Sequence, residues 1–294
     1  MDIHVICSGS TTLGLGHLFR ARAFGRAIAG DANVRLTAIA DPSMSSLFRD
    51  LPFPVSMIEF ESELTQANLV ADITVLDTVT LDRGLMAPLR RMSRLVASLS
   101  PVFDQMDAVD CAFFRHHPTE AQKTHVFAGL EYAVFSEYCR PIPSDVFGVA
   151  ARKNPLPVAI CMGGADASNK TLRVLEALVA CDSPLMLWVL LGEGYGHRYD
   201  ELVRCVRGRP GHEVVLAKTN RSMWQIMENC ALAVLSGGLT TVEAVYAGLP
   251  SVNLFERQQH ATLMAESFYD RGVCLNAGVI GRTTLEGMRD LVAG

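Results

Sequence analysis

Short apolar runs recur along this chain, each closed by a turn and followed by a stretch of helical periodicity, and no other feature narrows the available folds so far. Residues 3–7, 34–40, 55–60, 73–76 and 95–99 read as strands, with helices at 18–29 and, more weakly, 85–92. Between 101 and 150, prolines and the pair His116-His117 break the periodicity. Beyond it the alternation restarts, with strands at 158–161, 185–191, 214–216, 232–235 and 251–254. Helices at 169–180, 199–206, 223–228, 240–247 and 258–270 stand between and after them. Strands that are apolar throughout are buried on both faces, and strands joined by helices pair in parallel. The polar, proline-bearing segment 151–157 is the best linker. The expectation is therefore an α/β chain of two domains, residues 1–150 and 155–294. Each would be a Rossmann-like, doubly wound sheet, the two facing across a cleft where ligands meet the carboxyl ends of the strands. The length of 294 residues agrees, at roughly 150 residues per domain.

Composition removes several classes of function. Lys and Arg number 26 against 31 Asp and Glu, a net charge of −5, so the chain lacks the broad positive field of a nucleic-acid binder. The longest apolar run, 184–191, is far short of the ~20 residues of a membrane-spanning helix. The first residues show neither a basic n-region nor a small-residue cleavage site. The eight cysteines are scattered with no C-x-x-C pair, which reads as reduced packing thiols in a cytoplasmic protein. No H-E-x-x-H is present, and His116-His117 before Pro118 reads as loop surface. No metal and no cofactor is expected.

Three loops carry the residues that chemistry needs. Gly14-Leu15-Gly16-His17-Leu18-Phe19-Arg20 follows the first strand. Its glycines permit a tight turn and close ligand approach, and the helix start favours an anion. His17 can move a proton near neutral pH, and Arg20, three residues on, can pair with a carboxylate or phosphate. Phe19 stands where a dinucleotide fingerprint would have its last glycine. Gly163-Gly164-Ala165-Asp166-Ala167-Ser168-Asn169 repeats the strand–turn–helix arrangement in the second half. Capping accounts for at least one of its polar residues. Ser236-Gly237-Gly238-Leu239-Thr240-Thr241-Val242-Glu243 forms an anion nest at a helix start, suited to a diphosphate. Glu243 lies one turn in, where it can accept from a sugar diol or simply favour the helix end. Gln258 and Gln259, after the strand at 251–254, offer amides to a sugar.

With these motifs in place, the chain resembles GT-B-fold nucleotide-sugar enzymes. It looks most like the UDP-sugar hydrolase of pseudoaminic acid biosynthesis, and its third loop is similar to that of the N-acetylglucosaminyl transferase that makes lipid II. The resemblance implies a UDP-sugar as substrate and His17 as general base on the attacking water. It also implies a substrate side made of Gly14, Gly16, Arg20, Asp77, Gln258 and Gln259. The nucleotide side would hold Gly163, Gly164, Asp166, Asn169, Ser236, Gly237, Gly238, Thr240, Thr241 and Glu243, with Gly237, Gly238 and Thr240 on the diphosphate and Glu243 on the ribose. Part of the hydrolase pattern is replaced. Ile6 and Ser8 stand where that family has Arg-x-Asp, Asp77-Thr78-Val79 where it has Asp-His-Tyr, and Leu99-Ser100 where it has an Asp pair. Hydrolysis is thus the leading expectation. Transfer to an acceptor hydroxyl on a glycan or sugar, again with His17 as base, is the alternative, and a non-catalytic nucleotide-sugar binder is the third.

Overall fold

The first strand, β1 (Asp2–Ser8), shows how sequence sets the layers of the first unit. Ile3, Val5 and Cys7 join one core cluster with Leu15, Leu18 and Ala21, whereas Ile6 joins another with Leu76, Met86 and Leu89. Successive side chains of a strand point to opposite faces, so an apolar run must be covered on both. In the computed structural model, residues 1–10, 14–64, 69–115, 123–207, 211–218, 223–265, 268, 272–280 and 287 are described. The chain divides into two compact units, Met1–Glu137 and Tyr138–Gly294.

In the first unit β1 is followed by α1 (Gly16–Ile28), β2 (Asn33–Ile39), β3 (Val55–Ile58), β4 (Ala71–Asp77), α2 (Arg83–Met92), β5 (Ser93–Ser98), β6 (Cys111–Phe114) and β7 (His125–Ala128). All seven strands pair in parallel in the order β3-β2-β1-β4-β5-β6-β7. The last two lie in the stretch whose periodicity is blurred. They are four residues long, too short to show a period; pairing with β5 fixes β6, and pairing with β6 fixes β7. His4 is wholly buried in β1, its Nε2 2.8 Å from the Thr37 hydroxyl of β2.

The second unit begins with α3 (Ser144–Ala150) and β8 (Leu156–Cys161), followed by α4 (Lys170–Leu178), β9 (Leu185–Leu191), α5 (Tyr199–Val206), β10 (Glu213–Lys218) and α6 (Met223–Met227). β11 (Leu232–Leu235), α7 (Leu239–Ala247), β12 (Ser251–Phe255), α8 (Gln258–Met264) and β13 (Leu275–Val279) complete the described elements. Its six parallel strands run in the order β10-β9-β8-β11-β12-β13. Residues 138–150 go with this unit. The Ile142 N–H donates to the Ala247 carbonyl at 2.8 Å and the Cys139 thiol to that of Glu243 at 3.3 Å, tying the segment to α7.

Both sheets reverse their winding once. In the first, β1 leads outward to β2 and β3 while β4 leads the other way; in the second, β8 and β11 play these parts. At such a reversal the connections leave on opposite sides, opening a crevice at the carboxyl ends of the two strands. The three glycine-bearing loops singled out from sequence follow β1, β8 and β11.

Candidate functional site

At the reversal of the first sheet, β4 ends in Asp77 and the chain after β1 enters α1 at Gly16-His17. Asp77 is wholly buried. His17 Nδ1 lies 2.7 Å from its Oδ1, and Arg20 closes on both oxygens, Nε to Oδ2 at 2.8 Å and a terminal nitrogen to Oδ1 at 2.5 Å. Arg20 sits one turn beyond His17, so α1 presents both to the same carboxylate. Burial by itself raises the Asp77 pKa. The Arg20 charge and the hydrogen bonds from His17 and Arg20 overcome that, holding the carboxyl below the usual range.

An ionised carboxylate only accepts hydrogen bonds, so the 2.7 Å contact places the proton of neutral His17 on Nδ1. Nε2 then carries the lone pair, on a ring whose side chain is 16% exposed. A carboxylate that fixes tautomer and ring orientation is the support a general base needs. Asp77, expected on the substrate side, is in contact with His17, and Arg20 spends its fork on Asp77. Gly14, with φ +91°, donates its N–H to the Ser10 carbonyl at 2.8 Å, and Gly16 is the exposed first residue of α1. Beside them the Thr78 hydroxyl donates to the Thr80 carbonyl at 2.6 Å. That uses its one proton, so the Ser8 hydroxyl is the donor in the 2.6 Å Ser8–Thr78 bond.

At the reversal of the second sheet the loops after β8, β9 and β11 crowd together. A Cβ on Gly192 would come within 2.4 Å of the Gly164 carbonyl, and one on Gly163 within 3.4 Å of Ser236 Oγ. Gly237 has φ +70°, and a Cβ there would fall 2.0 Å from the Phe255 ring. Only glycine fits that turn. Gly238 caps α7, leaving the first N–H groups of the helix at the carboxyl edge.

The polar residues of these loops divide between two tasks. Asn169 holds the N-cap position of α4, and Asp166, just before it, satisfies the helix start, its carboxylate accepting from the backbone N–H groups of Lys170 and Thr171 at 2.9 Å each. Asn169, at φ +51°, accepts from the Tyr195 hydroxyl at 3.0 Å. Thr241 is wholly buried and donates to Asn253 Oδ1 at 2.5 Å. Glu243 is buried and accepts from the Trp224 indole at 3.2 Å. Ser236 and Thr240 are half-buried at the turn, and Gln258 and Gln259 are exposed at the start of α8. Tyr195, Trp224 and Gly192 went unnoticed in the sequence, because nothing local marks a residue whose partner is distant along the chain.

Among the described residues no group of His, Cys, Asp and Glu is arranged to hold a metal, and no helix is long and apolar enough to cross a membrane. His116 and His117 lie outside the described residues. No disulfide joins any of the eight cysteines, and burial pushes the Cys161 and Cys230 thiols up to about 11 and 12.

No family model matches the chain. It is 22% identical over 273 residues to the uncharacterized protein MJ1062 of Methanocaldococcus jannaschii, covering 88% of this chain and 56% of that one. It is 23% identical over 158 residues to the spore coat polysaccharide biosynthesis protein SpsG of Bacillus subtilis, covering 53% of this chain and 44% of that one. The chain thus spans about half the length of the curated relatives it matches. Among solved structures it is similar to Acinetobacter baumannii MurG, with TM-score 0.67, 14% identity, and coverage of 99% of this chain and 90% of that one. Anabaena Alr3699/HepE, solved in complex with UDP and glucose, gives 0.61, 13%, 99% and 89%. A UDP-glucosyltransferase from Polygonum tinctorium gives 0.62, 10%, 99% and 88%. The two parallel, doubly wound sheets are those of the GT-B fold. A particular likeness to the pseudoaminic acid hydrolase is not what these comparisons bring out.

Proposed function

We propose that the chain is a glycosyl-transfer enzyme that takes its sugar from a UDP-type nucleotide and passes it to an acceptor hydroxyl. The observation that carries this reading is the Asp77–His17 pair, which holds Nε2 of a partly exposed imidazole ready to accept a proton. Fold alone would not suffice, since one architecture serves many chemistries. Support comes from the solved neighbours, several of which are glycosyltransferases by title.

The chemistry runs as follows. Nε2 takes the proton of the acceptor hydroxyl as its oxygen attacks the anomeric carbon, and the bond from that carbon to the diphosphate breaks. The charge left on the diphosphate is met by backbone N–H groups at Ser236-Gly237-Gly238 and the start of α7. The second unit binds the nucleotide and the first supplies the base. Hydrolysis differs only in the nucleophile, water in place of an alcohol.

A product assay over a panel of UDP-sugars tests this. UDP should appear only when an acceptor is present, and His17→Ala should lower turnover by roughly 10²–10⁴-fold with UDP affinity unchanged. Free sugar formed at the rate of UDP release, with no acceptor added, would replace transfer by hydrolysis. UDP binding without turnover across the panel would leave a binding protein.

A further inference from the structure

Arg115 stands just past the end of β6, and no motif pointed to it. Register places it on the face that α1 covers. Leu76, Ser98 and Ala112 are aligned across β4, β5 and β6, so Asp77, Leu99 and Phe113 come next in line. Leu99 and Phe113 pack in the core cluster beneath α1, and the alternation of β6, continued one residue past its end, would put Arg115 on that face. Its charge is felt by both Arg20 and Asp77, and burial with the neighbouring Arg20 lowers its pKa to about 10.

The charges here do not balance. Arg20 occupies both oxygens of Asp77, and His17 shares one of them. The other arginines of α1 have carboxylates of their own, Arg22 and Arg26 pairing with Asp50 and Glu137. Arg115 makes no ion pair among the described residues, and its Nε is sealed from solvent with no hydrogen-bond partner among them. Arg115 as a whole is half-buried, but a guanidinium N–H sealed from water without a partner is costly, and a planar fork suits a carboxylate or phosphate.

We propose that Arg115 is the recognising group of an oxyanion subsite beside His17, so that the substrate portion received by the first unit carries a carboxylate or a phosphate. This rests on the reading of His17 as the base, and it names the class of molecule brought to it. A donor or acceptor with a uronate-type carboxylate, or with a phosphate ester, supplies the missing charge. A neutral sugar does not.

The test uses the intact chain and needs neither nucleotide nor turnover. The ring signals of the eight histidines are followed by NMR, with that of His17 assigned by its loss in His17→Ala. Glucuronate and inorganic phosphate are titrated separately, with glucose as the neutral control. Either anion should shift the His17 signal saturably while glucose leaves it in place, and the tighter of the two identifies carboxylate or phosphate as the group read. Arg115→Gln should weaken that binding by roughly tenfold or more, with the other histidine signals unmoved. If this variant fails to fold, the contrast between anion and glucose in the native chain decides. No shift with either anion, an equal shift with glucose, or undiminished binding in a folded Arg115→Gln protein would overturn the subsite. Anion binding beside His17 in a chain without activity on UDP-sugars would instead count against the glycosyl-transfer reading alone.

Discussion

At the scale of single residues, two of the buried titratable groups, His4 and Asp77, have opposite meanings. Asp77 is compensated by three hydrogen bonds, two from Arg20 and one from His17, and in the proposed function it orients His17. Asp77→Asn keeps the shape but offers Arg20 one acceptor in place of two, and its amide can present an N–H to His17 Nδ1. The proton would then move to Nε2, the atom that accepts in the proposed reaction. Turnover should fall by roughly 10²–10⁴-fold while KM for the nucleotide sugar changes little, which steady-state kinetics would show. His4 makes one hydrogen bond among the described residues, to the Thr37 hydroxyl, and its Nδ1 is buried without a partner among them. Burial, with a smaller effect from Arg35, lowers its pKa to about 3. The unfolded chain binds this proton near the ordinary value of about 6.5. Its contribution to stability is therefore complete above that pH and is lost as pH falls from about 6.5 towards 3. Denaturant midpoints measured across that window should decline, and His4→Gln should flatten the decline even as it lowers stability at pH 7. An undiminished slope in His4→Gln would assign the loss to other groups.

At the scale of elements, the turn between β11 and α7 is the least tolerant piece of the second unit. Gly237→Ala must leave φ +70° or drive a methyl into the Phe255 ring, and Phe255 is itself wholly buried. The ring cannot retreat without opening the core, so the turn must shift. UDP affinity should fall by roughly tenfold or more, and stability by about 1–3 kcal/mol, measured by calorimetric titration and urea unfolding. Gly238→Ala, with negative φ and a nearest neighbour at 3.8 Å, should cost far less. This turn was legible in the sequence because strand, glycine pair and helix start are adjacent there. The site around His17 was legible only in part. Asp77 lies 60 residues from His17, and their contact depends on β1 and β4 being neighbours, an order that alternation of strands and helices does not reveal. Arg115 was hidden for a similar reason, at the end of a strand whose existence depends on pairing with β5. Asp166 shows the converse, a polar residue in a glycine-rich loop whose carboxylate is occupied by the first N–H groups of the helix that follows. Local rules place turns and caps well. They are silent on which distant side chain completes a site.

At the scale of the whole molecule, the proposed chemistry would divide between the two units of a doubled architecture. Each unit has its own core and its own reversal of winding, with the Asp77–His17 pair at one and a glycine-lined helix start at the other. A ligand that binds only the folded form of one unit stabilises that unit by RT ln(1 + [L]/Kd), about 2.7 kcal/mol at a hundred times Kd. For a domain of this size each kcal/mol raises the midpoint by roughly 2–4 °C, so UDP should move one transition by roughly 5–10 °C. Scanning calorimetry should resolve two transitions, and the variants identify them. Gly237→Ala lowers the transition that UDP raises and removes the UDP effect, whereas Asp77→Asn lowers the other and leaves the UDP effect in place. A UDP shift abolished by Asp77→Asn but kept in Gly237→Ala would put the nucleotide in the first unit, and the assignment of base and donor to separate sheets would then fail.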